Sequence, residues 1–260
     1  MEVADCTVCG LTAGEKPDEP GASMHGEPKP VTFKDGVDTG EPAARNKACL
    51  TFVDDLVDGA DVLDVGCWAG AFASLALGRA STVSAVDIDR SALEIGKSRF
   101  KEVRFAEASV FTLPFAESSF DIVTLWDVLE HLPVGSESDA LEEISRVLRP
   151  GGYLAISVPN DRLLARLLDP MYFPKKHRHY SSKSLRHLLE KAGFTVRREA
   201  VKGSLITALD FLVFCFWKYL LGKPGPASER YRRICEKDAC RDGFVEFFLL
   251  AENKGLRYAE

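Results

Sequence analysis

Several things are scarce in this sequence. The opening residues, MEVADCTVCG, hold neither a cationic stretch nor an apolar run, which predicts no secretory signal. Positive charge is not in excess: 33 Lys and Arg stand against 39 Asp and Glu, a net charge of −6. A chain that is acidic overall is a poor generic binder of nucleic acid, so nucleic acid is not an expected partner and any polyanion site has to be a local patch. A second C-x-x-C motif is missing. Cys6 and Cys9 make half of a zinc knuckle, and Cys235 and Cys240 could supply the rest only if the termini meet, so no metal is expected. Seven cysteines, an odd number, with no export signal predict reduced thiols in a cytoplasmic protein. No internal repeat is present.

What is there suits one large α/β domain. The chain has 260 residues, 46% of them hydrophobic, enough to fill a full core. Residues 1–41 carry Gly, Pro and charge without apolar periodicity and predict a flexible segment. From 42 onward a single domain is expected, opening on a helix over 42–57. Strand and helix patterns then alternate. DVLDVG (61–66), TVSAVD (82–87), VRFAEA (103–108), FDIVTLW (120–126) and YLAISVP (153–159) predict five strands. AFASLAL (71–77), a helix capped by Ser91 and running to Arg99, SDALEEISRVL (138–148) and SKSLRHLLEKAG (182–193) predict helices between and after them. FTVRREAV (194–201) and FVEFFLLAE (244–252) are candidate strands six and seven. The alternation predicts a doubly wound, mostly parallel seven-stranded sheet with helices on both faces. A helical insert at about 204–242 precedes the last strand.

The first strand runs into Asp64-Val65-Gly66-Cys67-Trp68-Ala69-Gly70. A glycine turn between strand and helix lets backbone approach a ligand closely. The second strand ends at Asp87, whose carboxylate can accept hydrogen bonds from both hydroxyls of a ribose. Loop and acid together predict a nucleoside cofactor. A dinucleotide fingerprint laid on Gly66 would need glycine at 68, where Trp68 stands, and close approach of a pyrophosphate would be hindered there.

The spacing acid-x-Gly-x-x-x-Gly of Asp64, Gly66 and Gly70 resembles the class I S-adenosylmethionine-dependent methyltransferases. The resemblance continues in LPFAESSFDIVTLWDVLEHL (113–132), ISRVLRPGGYLAISVPN (144–160) and HRHYSSKSLRHLLEKAGF (177–194). It covers about residues 45–200 and again 243–252, and is nearest the small-molecule branch that includes the ubiquinone-biosynthesis O-methyltransferases. It implies a Rossmann-like fold and S-adenosylmethionine as cofactor. Asp64, Gly66, Cys67, Trp68 and Gly70 would form the loop around its methionine end. Asp87 would hold the ribose, Ile88 would lie beside the adenine, and Ser109 and Val110 would border the adenine edge. Trp126 would face the sulfonium. Two positions depart from the family pattern: Trp68 replaces its middle glycine, and Ser109 replaces an acid. Trp68 is expected to point out of the loop.

The implied reaction transfers a methyl group from S-adenosylmethionine to oxygen or nitrogen of a small-molecule acceptor. His131, just after the fourth strand, is the candidate base, because an imidazole takes up protons near neutral pH. His177, His179 and Tyr180 lie between the fifth strand and its helix, where they could contact substrate or cap the helix. From Pro170 to Leu189 there is no acid, while Lys175, Lys176, Arg178, Lys183 and Arg186 are all present; they form either a solvated loop and helix face or a basic patch suited to an anionic or lipid-linked acceptor. Residues 204–221, SLITALDFLVFCFWKYLL, are mainly apolar, and Ser204, Thr207, Asp210 and Lys218 form one narrow polar stripe. Such a helix could pack on its own domain, form a homodimer face, or lie on a membrane or a greasy substrate, with the stripe left wet. Two other readings compete for the whole chain: a non-catalytic cofactor-binding partner subunit, and an NAD-dependent oxidoreductase.

Overall fold

Buried apolar runs become the middle of one sheet in the computed structural model, which describes residues 44–169, 178–221 and 228–255. The strands are β1 (Asp61–Val65), β2 (Thr82–Asp87), β3 (Arg104–Glu107), β4 (Phe120–Trp126), β5 (Leu148–Pro159), β6 (Phe194–Lys202) and β7 (Glu246–Asn253). Their order is β3-β2-β1-β4-β5-β7-β6, parallel except for β7, which runs antiparallel to both its neighbours. β2 and β4 coincide with the expected runs. β5 begins earlier than expected, because Arg149, Pro150, Gly151 and Gly152 bulge between the Phe120–Leu148 and Ile122–Tyr153 pairs instead of forming a separate turn. Gly152 permits this: a Cβ there would lie 2.9 Å from the Arg149 carbonyl oxygen and 3.0 Å from that of Asp121.

Helices cover both faces, as a sheet apolar on both sides requires. α1 (Ala44–Phe52), α2 (Ala71–Ala76) and α3 (Arg90–Arg99) pack around Phe52, Phe72, Leu93 and Phe248. α4 (Glu137–Val147) and α6 (Ser182–Lys191) bury Leu141, Ile144, Leu185 and Leu189 on the other face; α5 (Leu163–Leu168) lies between them in sequence. Two caps differ from expectation. α3 is capped by Asp89, not Ser91: the carboxylate accepts the N–H groups of Ser91 and Ala92 at 2.9 and 3.1 Å, leaving Ser91 one residue inside. α6 is capped by a Ser181–Ser184 box and not by His179 or Tyr180. α1 stops at Phe52, and the chain reaches Val57 through turns.

Between β6 and β7 stand α7 (Leu205–Cys215), a π-helical continuation (Phe216–Leu221), and α8 (Glu229–Ala239), which packs on α1. The segment leaves and re-enters the sheet through a backbone neck. Gly203 donates to the Arg241 carbonyl at 2.9 Å, Gly243 to Val201 at 2.9 Å and Phe244 to Gly203 at 2.9 Å. The polarity of α7 is the reverse of a wet polar stripe. Ser204 and Thr207 turn inward and bond the buried Asp238 of α8, and Asp210 accepts from the Tyr231 hydroxyl at 2.7 Å. A buried carboxylate needs such donors more than water needs the stripe.

Candidate functional site

The carboxyl ends of β1, β2, β4 and β5 and the start of β7 meet at one edge, where ligands bind in open sheets of this kind. The glycine loop crosses that edge. Gly66 and Cys67 donate to the Val86 carbonyl at 2.8 and 3.0 Å, and Gly70 to Cys67 at 2.8 Å. Gly66, Trp68 and Gly70 all have positive φ, at 74°, 52° and 77°. A Cβ on Gly66 would strike Val128 at 2.3 Å, and one on Gly70 would strike the Phe105 ring at 2.5 Å. The loop therefore asks for left-handed backbone at three alternate positions and finds glycine at two. At Trp68 an L-residue accepts it at a cost of about 1–2 kcal/mol. Trp68 is half-buried, with its Nε1 shielded from solvent.

Asp87 holds this loop. Its Oδ2 accepts the Trp68 N–H at 2.7 Å and its Oδ1 the Asp89 N–H at 2.9 Å. Burial raises its pKa above the ordinary carboxylate value, against those hydrogen bonds. Asp89 spends its Oδ1 on the α3 cap. Ile88 and Ser109 are half-buried nearby, with the Ser109 Oγ accepting the Phe111 N–H at 3.3 Å, whereas Val110 is core. Asp64 lies under the loop, 2% exposed, and accepts from Thr124 Oγ1 at 2.8 Å. Desolvation pushes its pKa up to about 7. Trp126 is a core residue more than a surface one: its ring sits 5.3 Å from Phe72 and 5.9 Å from Phe248, and its buried Nε1 has no hydrogen-bond partner among the described residues.

Behind these lies a charged cluster that the sequence did not reveal. Arg45 of α1 pairs with Asp127, the residue after β4, and approaches Glu246 of β7 at 3.6 Å. Ser157 of β5 donates to Asp127 at 2.8 Å. Burial opposes the Arg45 charge, but Asp127 and Glu246 outweigh it and raise its pKa. Burial, with the Asp127 charge, raises that of Glu246 well above the carboxylate range. The neighbouring Cys49 thiol is buried and raised, which makes it unreactive.

His131 sits exposed at the end of a 3₁₀ turn, Leu129–His131. Arg178 clamps that turn, donating to the Glu130, Leu129 and Leu132 carbonyls at 3.2, 2.6 and 2.7 Å while pairing with Glu137. Tyr180 is buried, and its hydroxyl reaches the Leu129 carbonyl at 3.3 Å; burial raises its pKa. The His179 imidazole is buried 3.4 Å from Asp169. These two residues brace the loop from inside. Arg186 pairs with Glu199, so of the expected basic patch Arg178 and Arg186 are consumed internally. His177, Lys175, Lys176, Cys6 and Cys9 lie outside the described residues.

Residues 42–199 match the family described as methyltransferase domain, and the chain belongs to that family. A protein of Mycolicibacterium smegmatis named as a probable S-adenosylmethionine-dependent methyltransferase is 33% identical over 138 residues, 53% of this chain and 53% of that one. A ubiquinone biosynthesis O-methyltransferase of Paracidovorax citrulli is 30% identical over 131 residues, 47% and 54% of the two chains. The chain thus spans about half the length of these curated relatives. Among solved structures, the Burkholderia thailandensis 1,6-didemethyltoxoflavin N1-methyltransferase, crystallised with S-adenosylhomocysteine, superposes with a TM-score of 0.55 at 21% identity, covering 81% and 78%. That likeness is one of fold: the seven-stranded sheet and its flanking helices are the Rossmann-like methyltransferase arrangement.

Proposed function

We propose that this chain transfers a methyl group from S-adenosylmethionine to oxygen or nitrogen of a small-molecule acceptor. The observation that carries the proposal is the glycine loop bound to Asp87 through the Trp68 N–H, at the carboxyl edge of a sheet with this strand order. The residues present fit such a cofactor. Asp87 accepts from the ribose hydroxyls, with Ile88 and Ser109 beside the base. Asp64 takes the ammonium of the methionine end and Arg45 its carboxylate. The sulfonium supplies an already activated methyl. The protein's work is to align the acceptor and exclude water, and orientation can be worth about 7–11 kcal/mol. His131, exposed at the end of the turn that the Arg178 clamp holds, takes the acceptor's proton.

The apolar helices that hang from the same edge favour an acceptor with a greasy or lipid-linked part. The buried thiols Cys49, Cys67, Cys215 and Cys235 favour a reducing compartment, the cytoplasm. A purified sample should bind S-adenosylhomocysteine and not NAD in a calorimetric titration. It should also transfer labelled methyl to a component of a metabolite and lipid extract. Binding without any transfer favours the non-catalytic partner subunit, for which the strained Trp68 is the support. Binding of NAD alone sinks both.

A further inference from the structure

We propose that the outer face formed by α5, α7 and the π-helical turn docks this protein in the plane of an anionic lipid surface. The first observation is the inside-out build of α7. Ser204, Thr207 and Asp210 all bond α8, so the polar side of the helix is spent within the protein. What faces out is apolar: Leu205 and Leu209 are 51% and 47% exposed, Phe216 51% and Leu220 71%. α5 touches α7 and adds Leu163 and Leu167, 72% and 64% exposed. Scattered exposed leucines need no explanation, but a contiguous apolar face on two adjacent helices does.

The second observation is charge. Residues 160–245 hold 18 Lys and Arg against nine Asp and Glu, a net +9 in a chain of net −6. The rest of the chain is therefore at −15. The apolar face lies within this stretch of the sequence, with Arg162 exposed beside α5 and Arg230 exposed on α8, while Arg233 pairs with Glu229 and Arg178, Arg197 and Arg198 pair with acids outside the stretch. Apolar contact framed by cations suits anionic headgroups over acyl chains. A symmetric dimer through this face would bring two positive surfaces together, because each copy presents the same patch. No helix among the described residues is long and apolar enough to cross a membrane, so the contact lies along the surface.

The placement gives the contact a use. α5 follows β5, α7 follows β6 and α8 precedes β7, so all three hang from the carboxyl edge that carries the glycine loop. A lipid surface met there lies beside the site. The docking itself does not rest on methyl transfer.

The test is co-sedimentation of the full chain with vesicles of phosphatidylcholine alone or with 30% phosphatidylglycerol. It is run at about 50 and 500 mM salt, a change that shortens the Debye length severalfold. A Leu209→Asp/Phe216→Asp double variant, checked for folding by circular dichroism, is run beside the native chain. The expected result is capture by anionic vesicles only, weakened roughly tenfold by high salt and abolished in the folded double variant. Native protein left in the supernatant with anionic vesicles overturns the proposal. So does a dimer, seen by light scattering, that the double variant dissociates, or tighter binding to homopolymeric RNA than to vesicles. S-adenosylhomocysteine titration on the same samples separates the two readings: vesicle binding without cofactor binding keeps the dock and removes the methyltransferase.

Discussion

Replacing Asp64 by Asn should stabilise the cofactor-free protein, and should do so more at alkaline pH. The carboxyl is 2% exposed and its pKa is about 7, against 3.8 for an ordinary aspartate. Between those values the folded chain keeps a proton that the unfolded chain has released. Stability therefore falls as pH rises through that window, by about 1.4 kcal/mol per unit, and levels off above pH 7. The full penalty is about 4 kcal/mol, of which about 2 kcal/mol accrues between pH 5.5 and 8. Asn keeps the acceptor for Thr124 and carries no charge. The melting-temperature gap between Asp64→Asn and the native chain should widen by about 4–8 °C from pH 5.5 to 8, measured by differential scanning calorimetry. A gap equal at both values refutes the assignment of a buried, late-ionising Asp64. The same logic reaches the ligand: an ammonium beside Asp64 favours the carboxylate, so S-adenosylhomocysteine binding near pH 6.5 should release a proton in the native chain and none in the variant. Titration in two buffers of different ionisation heat reads this directly.

Asp87→Ala should weaken S-adenosylhomocysteine binding by about 10²–10⁴, since two charge-assisted hydrogen bonds of about 1.5–3 kcal/mol each are lost; calorimetry showing unchanged affinity in a folded variant removes the ribose contact. Trp68→Gly should leave affinity equal or improved, because it relieves the left-handed strain, and a tenfold loss by the same titration would mean that the indole closes over the cofactor. His131→Ala should lower turnover by about 10²–10⁴ with cofactor affinity intact, once an acceptor is in hand for a rate assay. Arg178→Ala should cost about 3–5 kcal/mol in urea unfolding, because it strands Glu137 and three carbonyls; a cost under 1 kcal/mol would show that the clamp is not holding the His131 turn.

The sheet was legible because its central strands are apolar on both faces. TVSAVD and FDIVTLW have no other stable place, and their bounds came out as read. The glycine loop was legible because left-handed backbone leaves a glycine signature. The Arg45–Asp127–Glu246 cluster was not. Its members are brought together from 200 residues apart by the antiparallel return of β7, and local periodicity carries no trace of that. The stripe on α7 could be drawn on a wheel, yet which side stays wet depends on Asp238, a residue 28 positions beyond Asp210. The resemblance implied only that Trp126 would face the sulfonium; that its ring also packs against Phe72 and Phe248 depends on residues 54 and 122 positions away, which no local pattern shows. Arg178 read as free positive charge because its acid, Glu137, is 41 residues away and faces it only once the turn after β4 has folded.

The neck at Gly203 and Gly243 sets two parts of this protein at different evolutionary liberty. A Cβ on Gly243 would sit 1.9 Å from the Gly203 carbonyl oxygen, so only two bare backbones can cross so closely. Because the crossing is sealed by its own hydrogen bonds, the length and composition of what lies beyond it do not feed back on the register of β6 against β7. Substitutions on the outward side of α7 and the π-helical turn can retune what the molecule lands on, whereas α8 packs on α1 and ties its half of the excursion to the helix that carries Arg45. Any side chain at position 243 would prise the crossing apart and end that insulation.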